Sequence, residues 1–412
     1  MTSREAKVRL KLKEKQAVTR KLRKKYKQGS KKQKGEIIDW LVEVAGYNRK
    51  YAATLLRNGV NKKTKPNKPK PKSGRPPKYD EEVFLALRRI WFTEGCICGK
   101  RLAPFLKELV PVLKRFGEID VTDEVEEKLL NISPATVDRL LKPVKKGLNF
   151  TGRSSTKPGT LLKSEIPIKT FSEWDNTVPG YVEIDLVAHC GSNTSGEFTY
   201  TLDVTDVTTG WTETKAVKNK ARVWVFRALE EITKRLPFQV EGIDSDNGSE
   251  FINHHLVNYC KENEITFTRS RPYRKNDNCY VEQKNWSVVR KTVGYRRYDT
   301  LEERNLLNKI YRKLRPYTNF FQPSMKLVGK QRDGAKVTKT YDKAKTPYRR
   351  LLGVGSISRS SKYRLEEEYD SLNPAELNRE IESLRRELYR INGRKGNETV
   401  EENEEDLEYI LL

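Results

Sequence analysis

Apolar positions first fall into a helical rhythm at Ile37, Ile38, Leu41, Val42 and Ala45. Gly46-Tyr47-Asn48 interrupts it before Tyr51, Ala52, Leu55 and Leu56 resume it. Asn48 is placed to cap the second helix, and two short helices joined by a tight glycine-containing turn make a helix-turn-helix pattern. Residues 80–147 keep the helical period, with Val83, Leu87 and Ile90 on one stripe and Leu102, Phe105, Leu106 and Leu109 on another. Ser133 and Pro134 then supply an N-cap and a first-turn proline for a helix carrying Val137, Leu140 and Leu141. Past residue 163 the pattern turns to strands: β-branched and aromatic residues dominate 181–188 and 198–207, and 212–217 alternates behind the Gly210 turn. A helix at 221–235, a short apolar strand at 239–243, a helix at 249–262, a strand at 264–268 and a helix running to Tyr295 follow. Three strands followed by alternating helices and strands predict an α/β fold around a mixed sheet. Beyond it, Leu306, Leu307, Ile310, Tyr311 and Leu314 predict a helix over 301–321, and the basic segment 325–350 reads as a small β unit or an extended DNA-binding strap. Leu377, Ile381, Leu384, Leu388 and Ile391 repeat at coiled-coil spacing, which suits a partner subunit or the chain itself equally well.

Composition points the chain toward a polyanion. It has 412 residues, 36% hydrophobic and 33% charged, with a net charge of +26. That is enough apolar content for cores, too long for one ordinary domain, and strongly suited to nucleic acid. The cations cluster, with 15 in residues 1–35 against Glu5 and Glu14, and eight in residues 61–78 with no acid. Residues 61–78 are Lys/Pro-rich and predict an extended linker, in which Gly74-Arg75-Pro76 fits either plain linker or a hook that puts Arg75 into a minor groove. A second linker is expected around 151–163, and the C-terminal tail is acidic. The first helical pair would present Asn48, Arg49, Lys50 and Thr54 at the exposed start of its second helix, where base-reading residues lie. The helix behind Ser133 carries Arg139 and fits a second DNA-reading unit or a packing module. Five scattered cysteines and no signal peptide predict a reducing cytosol, hence a cytoplasmic protein, without a disulfide framework. Cys96 and Cys98 lack neighbours that would complete a zinc site, and no apolar run approaches the roughly 18 residues of a membrane span.

Three carboxylates stand out. Asp185 lies mid-strand in Glu183-Ile184-Asp185-Leu186-Val187, where a charge is costly unless paired or bound to metal. Asp246 follows an apolar strand, at the end where open α/β sheets place their sites. Glu282 lies early in a helix, with 35 residues between it and Asp246. Such oxygens suit Mg²⁺ or Mn²⁺, and two ions serve an in-line phosphoryl displacement with no protein nucleophile. That matches a chain with three histidines and no Ser-His-Asp or Cys-His arrangement. Asp244 could replace Asp246 if the strand ran on. Glu183 and Asp203 read as structural or surface charges, and His189, His254 and His255 as polar or capping residues. Arg271, Arg274, Lys275, Lys284, Arg290 and Lys291 surround Glu282 and would neutralise phosphates, while Trp286 reads as core.

Ile184-Asp185 with His189, then Ser245-Asp246-Asn247-Gly248-Ser249-Glu250-Phe251, then Val281-Glu282 with Asn285, resemble the retroviral-integrase-like DDE transposases over about residues 174–300. The resemblance implies an RNase H-like catalytic core, with Asp185 and Asp246 on one metal ion, Asp185 and Glu282 on the second, and Asn285 touching DNA. It also implies double-stranded DNA as partner, at least a dimer, no small-molecule substrate, and a bacterial, nucleoid-associated setting. Unlike retroviral integrases, this chain has no His-His-Cys-Cys zinc module at its N-terminus, so its helical units would recognise DNA ends. The expected layout is multidomain: helix-turn-helix domains, the α/β core and a C-terminal extension with a terminal helix. Its parts are a basic arm at 1–34, a helix-turn-helix domain at 35–60, a linker at 61–79 and a second helical DNA-binding domain at 80–147. A linker at 148–173, the core at 174–300, a helical and basic region at 301–365, and a helix with acidic tail at 366–412 complete it.

Overall fold

A computed structural model describes residues 11–59, 78–145, 178–246, 248, 250–251, 253–270 and 278–395. The chain divides into two compact units, residues 1–77 and 78–412.

The first unit contains α1 (Leu12–Gln28), α2 (Lys31–Ala45) and α3 (Arg49–Asn58). Ser30 and Gln33 form a reciprocal capping box that starts α2. Gly46 ends α2 at φ 65°, a left-handed conformation that glycine adopts without strain, and Asn48 caps α3 at once. The basic arm contributes α1. Its Tyr26, with Val18 and Leu22, packs onto Leu41, Ala45, Ala52 and Leu56. One apolar side chain per turn is enough to close a third side of the α2–α3 pair.

The second unit opens with α4 (Glu81–Thr93), α5 (Gly99–Arg115), α6 (Asp123–Leu130), α7 (Pro134–Leu140) and α8 (Lys142–Lys145). The predicted Ser133 cap forms, accepting from Thr136 N. Strands β1 (Tyr181–Ala188), β2 (Tyr200–Asp206) and β3 (Thr212–Val217) follow, then α9 (Arg222–Thr233), β4 (Gly242–Ser245), α10 (His254–Glu262) and β5 (Thr266–Arg269). The sheet order is β3-β2-β1-β4-β5, antiparallel through β2 and parallel from β1 to β5, which is an RNase H-like mixed sheet. Helix α11 (Cys279–Lys284) runs through a π-helical turn, Asn285–Arg290, into α12 (Lys291–Val293). The long α13 (Leu301–Phe321) precedes a hairpin of β6 (Leu327–Asp333) and β7 (Lys336–Tyr341), then α14 (Pro347–Leu352), α15 (Arg359–Ser371) and α16 (Pro374–Gly393).

The two faces of the sheet differ. Val182, Ile184, Leu202 and Val204 meet α9 and α10 in one apolar core. The opposite face, covered by the π-helical turn and α13, carries Thr201, Asp203 and Thr205, all fully buried. The second core is continuous from Val83 and Leu109 through Trp211, Val289, Ile310 and Phe320 to Leu388 and Ile391. The segments read as separate domains at 80–147, 301–365 and 366–412 therefore share one core with the sheet. The heptad-like seam of α16 is used inside the chain, with Leu377, Ile381, Leu388 and Ile391 buried in that core. Among the described residues, no helix is long and apolar enough to cross a membrane.

Candidate active site

Strand pairing sets two of the three carboxylates side by side. Parallel β1 and β4 align Ile184 with Ser245, so Asp185 and Asp246 are the next residues along neighbouring chains. Asp246 leaves β4 at a turn whose Gly248 N donates to its Oδ1 at 2.8 Å. A Cβ at Gly248 would lie 2.9 Å from that oxygen, so the turn needs glycine for close approach.

The third carboxylate arrives on a helix moored by a residue that sequence reasoning had set aside. Glu183 is buried, and its Oε2 accepts from Tyr280 N and Val281 N at 2.8 and 2.9 Å, satisfying first-turn donors of α11. Burial, with Asp244 and Glu282 nearby, pushes Glu183 up to about 8 against the pull of those bonds. One turn past Glu282, Asn285 Nδ2 donates to Asp185 Oδ2 at 2.6 Å. The helix is thus tied to β1 on both sides of Glu282. The Asn285 bond falls where the π-helical turn begins, a feature common at functional sites.

The electrostatics agree with this arrangement. Desolvation, then Asp246, then Glu282 push Asp185 up to about 7, against the Leu186 N–H and Asn285 that stabilise its anion. Asp246 is raised too, by burial and by Glu250. Beside Asp185 in the β1–β2 register, Asp203 is fully buried, and its Oδ2 has no hydrogen-bond partner among the described residues. Burial raises Asp203 to about 8. The T-x-D-x-T alternation of Thr201, Asp203 and Thr205 was the available signal for this polar layer. His189 belongs to it: its Nε2 and Tyr311 Oη both meet Thr201 Oγ1, at 2.7 and 2.6 Å, and burial pulls its pKa down to about 3. Asp244, by contrast, accepts from Thr268 at 2.5 Å inside the sheet.

An oxygen-only donor set in which burial raises both Asp185 and Asp246 is one that a hard divalent cation would relieve. The residues fit such an ion in chemistry. As they stand, no group of three His, Cys, Asp or Glu side chains among the described residues is gathered closely enough to hold a metal.

The basic residues expected around Glu282 have different surroundings from those expected. Arg290 donates to Ala188 O at 2.6 Å and stacks on Tyr295, so it clamps the end of β1. Lys291 donates to Gly95 O and is otherwise exposed. Lys284 faces the charge of Asp203, and burial pulls it down to about 8. Trp286, expected in the core, is 54% exposed, because the π-helical turn rotates it outward. Asn48, Arg49, Lys50 and Thr54 lie exposed at the start of α3, with Asn48 capping Lys50 N and Arg49 paired to Asp39. Arg139 is exposed on α7, whereas its neighbour Asp138 accepts from Gly99 N and pairs with Lys145. Arg75, Arg271, Arg274 and Lys275 lie outside the described residues.

Residues 175–275 match the family described as the integrase core domain; the match includes Asp185 and Asp246 and stops before Glu282. An uncharacterized protein of Sinorhizobium fredii (strain NBRC 101917 / NGR234), y4rM, is 39% identical over 319 residues, covering 77% of this chain and 89% of that one. Among solved structures, the catalytic core domain of BIV integrase aligns with a TM-score of 0.30 and 19% identity, over 45% of this chain and 98% of its own. The HTLV-2 integrase catalytic core domain in complex with magnesium, in a dimeric form, aligns with a TM-score of 0.29 and 15% identity, over 36% and 93%. The chain therefore carries an integrase core domain of the transposase and integrase family, and over most of its length it belongs to one family with the rhizobial protein.

Proposed function

We propose that the chain is a metal-dependent polynucleotidyl transferase that nicks DNA and joins the released end to a target, with Asp185, Asp246 and Glu282 as its catalytic carboxylates. The observation that carries this reading is the pair of ties from β1 to the catalytic helix, through Glu183 and through Asn285, on either side of Glu282. Asp185 and Asp246 would hold one Mg²⁺ or Mn²⁺, and Asp185 with Glu282 a second. When bound, the two ions activate the attacking water or 3′-hydroxyl and steady the leaving oxygen. Asn285 fixes the Asp185 carboxylate, and Glu183 fixes the helix. Glu282 is exposed on that helix, where it would supply the third carboxylate. The α3 residues Asn48, Arg49, Lys50 and Thr54, with Arg139 on α7, would contact the DNA ends, and at least a dimer would hold two ends together.

The test is to incubate the full chain with Mg²⁺ or Mn²⁺ and a labelled duplex carrying the DNA that flanks its gene, beside Asp185→Asn and Glu282→Gln. Metal-dependent nicking or joining that falls about 10³-fold or more in both variants supports the reading. Equal binding without cleavage in all three proteins would make the chain a DNA-binding regulator on an integrase fold.

A further inference from the structure

The β6–β7 hairpin has no core. Every residue of its two strands except Gly329 is exposed, on both faces, including Leu327, Val328, Val337 and Tyr341. Two strands alone are marginally stable in water. Lys330 stands directly opposite Lys339, a like-charge pair that weakens an isolated ribbon. Arg332 lies two residues along from Lys330 on the same face. Among the described residues, the one hydrogen bond made by a strand side chain stays inside the hairpin, from Arg332 Nε to Gly334 O.

The root of the hairpin is built quite differently. Lys326 Nζ donates to Val207 O and Thr208 O at 3.0 and 2.7 Å and lies over the Tyr280 ring. Arg350 pairs with Asp342 and donates to Ser324 O at 2.8 Å. Ser324, Met325 and Tyr341 border the same cavity of about 450 Å³ as Lys284 and Trp286 of the catalytic helix. A firmly rooted ribbon therefore projects from beside the start of α11, with its cations gathered and unsatisfied.

We propose that this hairpin is a DNA-gripping ribbon: its Lys330–Arg332–Lys339 face lies on the phosphates of duplex DNA leading to the carboxylates of α11 and β1. The occupant is chosen by charge. Of the strands' ionisable residues, Lys330, Arg332, Lys336 and Lys339 oppose Asp333 alone. A polyanion relieves the Lys330–Lys339 repulsion that the fold leaves in place, and a two-stranded ribbon is an element the major groove admits. The proposal rests on the polynucleotide reading above for its substrate, but on the hairpin alone for its geometry.

The test is equilibrium binding of the full chain to labelled duplex DNA in EDTA over a range of salt. Lys330→Thr/Arg332→Thr/Lys339→Thr keeps good strand formers at exposed positions. A control, Arg359→Ala/Lys362→Ala/Arg364→Ala, removes equal charge from α15. The ribbon variant is expected to bind at least about tenfold more weakly at 0.1 M salt and to flatten the slope of log K against log salt by about 2 to 3, with the control nearer wild type. An unchanged slope, or an equal loss in the control, overturns the proposal. So does a change in sedimentation mass with DNA binding intact, since the occupant would then be a second copy. If the triple variant fails to fold, Lys339→Thr alone must still flatten the slope by about 1. Nicking by the wild-type chain is scored separately: its absence beside a flattened slope sinks the transferase reading and leaves the ribbon standing.

Discussion

Glu183 is a buried acid of the site that reaches from β1 to α11. Its carboxyl is close to neutral at pH 7, because burial raises it to about 8, yet it still accepts two backbone N–H bonds. Glu183→Ala leaves Tyr280 N and Val281 N facing a buried gap and should cost about 2–3 kcal/mol in urea unfolding at pH 7. Metal-dependent nicking should fall with it, because Glu282 sits on the turn those bonds hold. Glu183→Gln still offers a carbonyl oxygen and should recover most of the stability. A Gln variant as damaged as the Ala variant would show that the charge, not the acceptor, matters. Asp185, Asp246 and Glu282 stood out as candidates from residue type, setting and the family resemblance, and the fold places Asp185 and Asp246 at the ends of neighbouring strands. Glu183 did not stand out, since a residue two along the strand from Asp185 becomes a helix anchor only once β1 and α11 are adjacent. For the same reason the partners of Arg290 and Lys291, Ala188 O and Gly95 O, could not be read from a sequence in which they are remote.

At the scale of elements, alternation and capping were decisive where they were strong. β1, β3 and α13 fall at their expected residues, each bounded by a turn or a cap. β4 was expected at 239–243 and forms at 242–245, because its limits come from pairing with Tyr181–Ile184 and not from its own apolar run. α1 was underrated for want of apolar residues, and the α16 seam carried no sign of which surface it would meet. That surface includes α13, joined through Glu303, which is fully buried, caps the start of α13 and takes bonds from Asn392 at 2.8 Å and from Lys395. Burial pushes Glu303 upward, but Asn392, Lys395 and the backbone at Thr300 and Asp299 outweigh it and hold it below the ordinary value. Its stabilisation is therefore present above the unfolded pKa of about 4.3 and lost as pH falls through the lower folded value. Glu303→Ala should cost about 3 kcal/mol at pH 7. The gap between wild type and variant, read from denaturant midpoints, should narrow below pH 4. A gap independent of pH would remove the ionic part of this account.

Across the whole molecule, the polar face of the sheet holds carboxyls in a dry place that resists their ionisation. Glu183 and Asp203 are raised to about 8 and Asp185 to about 7, all by burial first. The folded state therefore binds protons that the unfolded chain has released above about pH 4, so stability falls as pH rises through 7 to 8. Buried neutral His189, lowered to about 3, acts in another window: it weakens the fold only as pH drops below about 6.5. In EDTA, the thermal midpoint should drop between pH 6 and 8.5. Millimolar Mg²⁺ should restore it more at the higher pH, where protons no longer compete for the carboxylates. Asp185→Asn should shrink both effects in the same scans. A midpoint indifferent to Mg²⁺ at every pH would count against a cation site on this face.

The mooring of α11 to β1 also bears on how such a chain can change over generations. Because Glu183 and Asn285 hold the helix against the sheet, its position does not depend on the length of chain leading to it. Insertions and deletions between Arg269 and Asn278 can accumulate while Glu282 keeps its place beside Asp185. The 35-residue interval from Asp246 to Glu282 is then free to vary as far as the chemistry of the carboxylates is concerned.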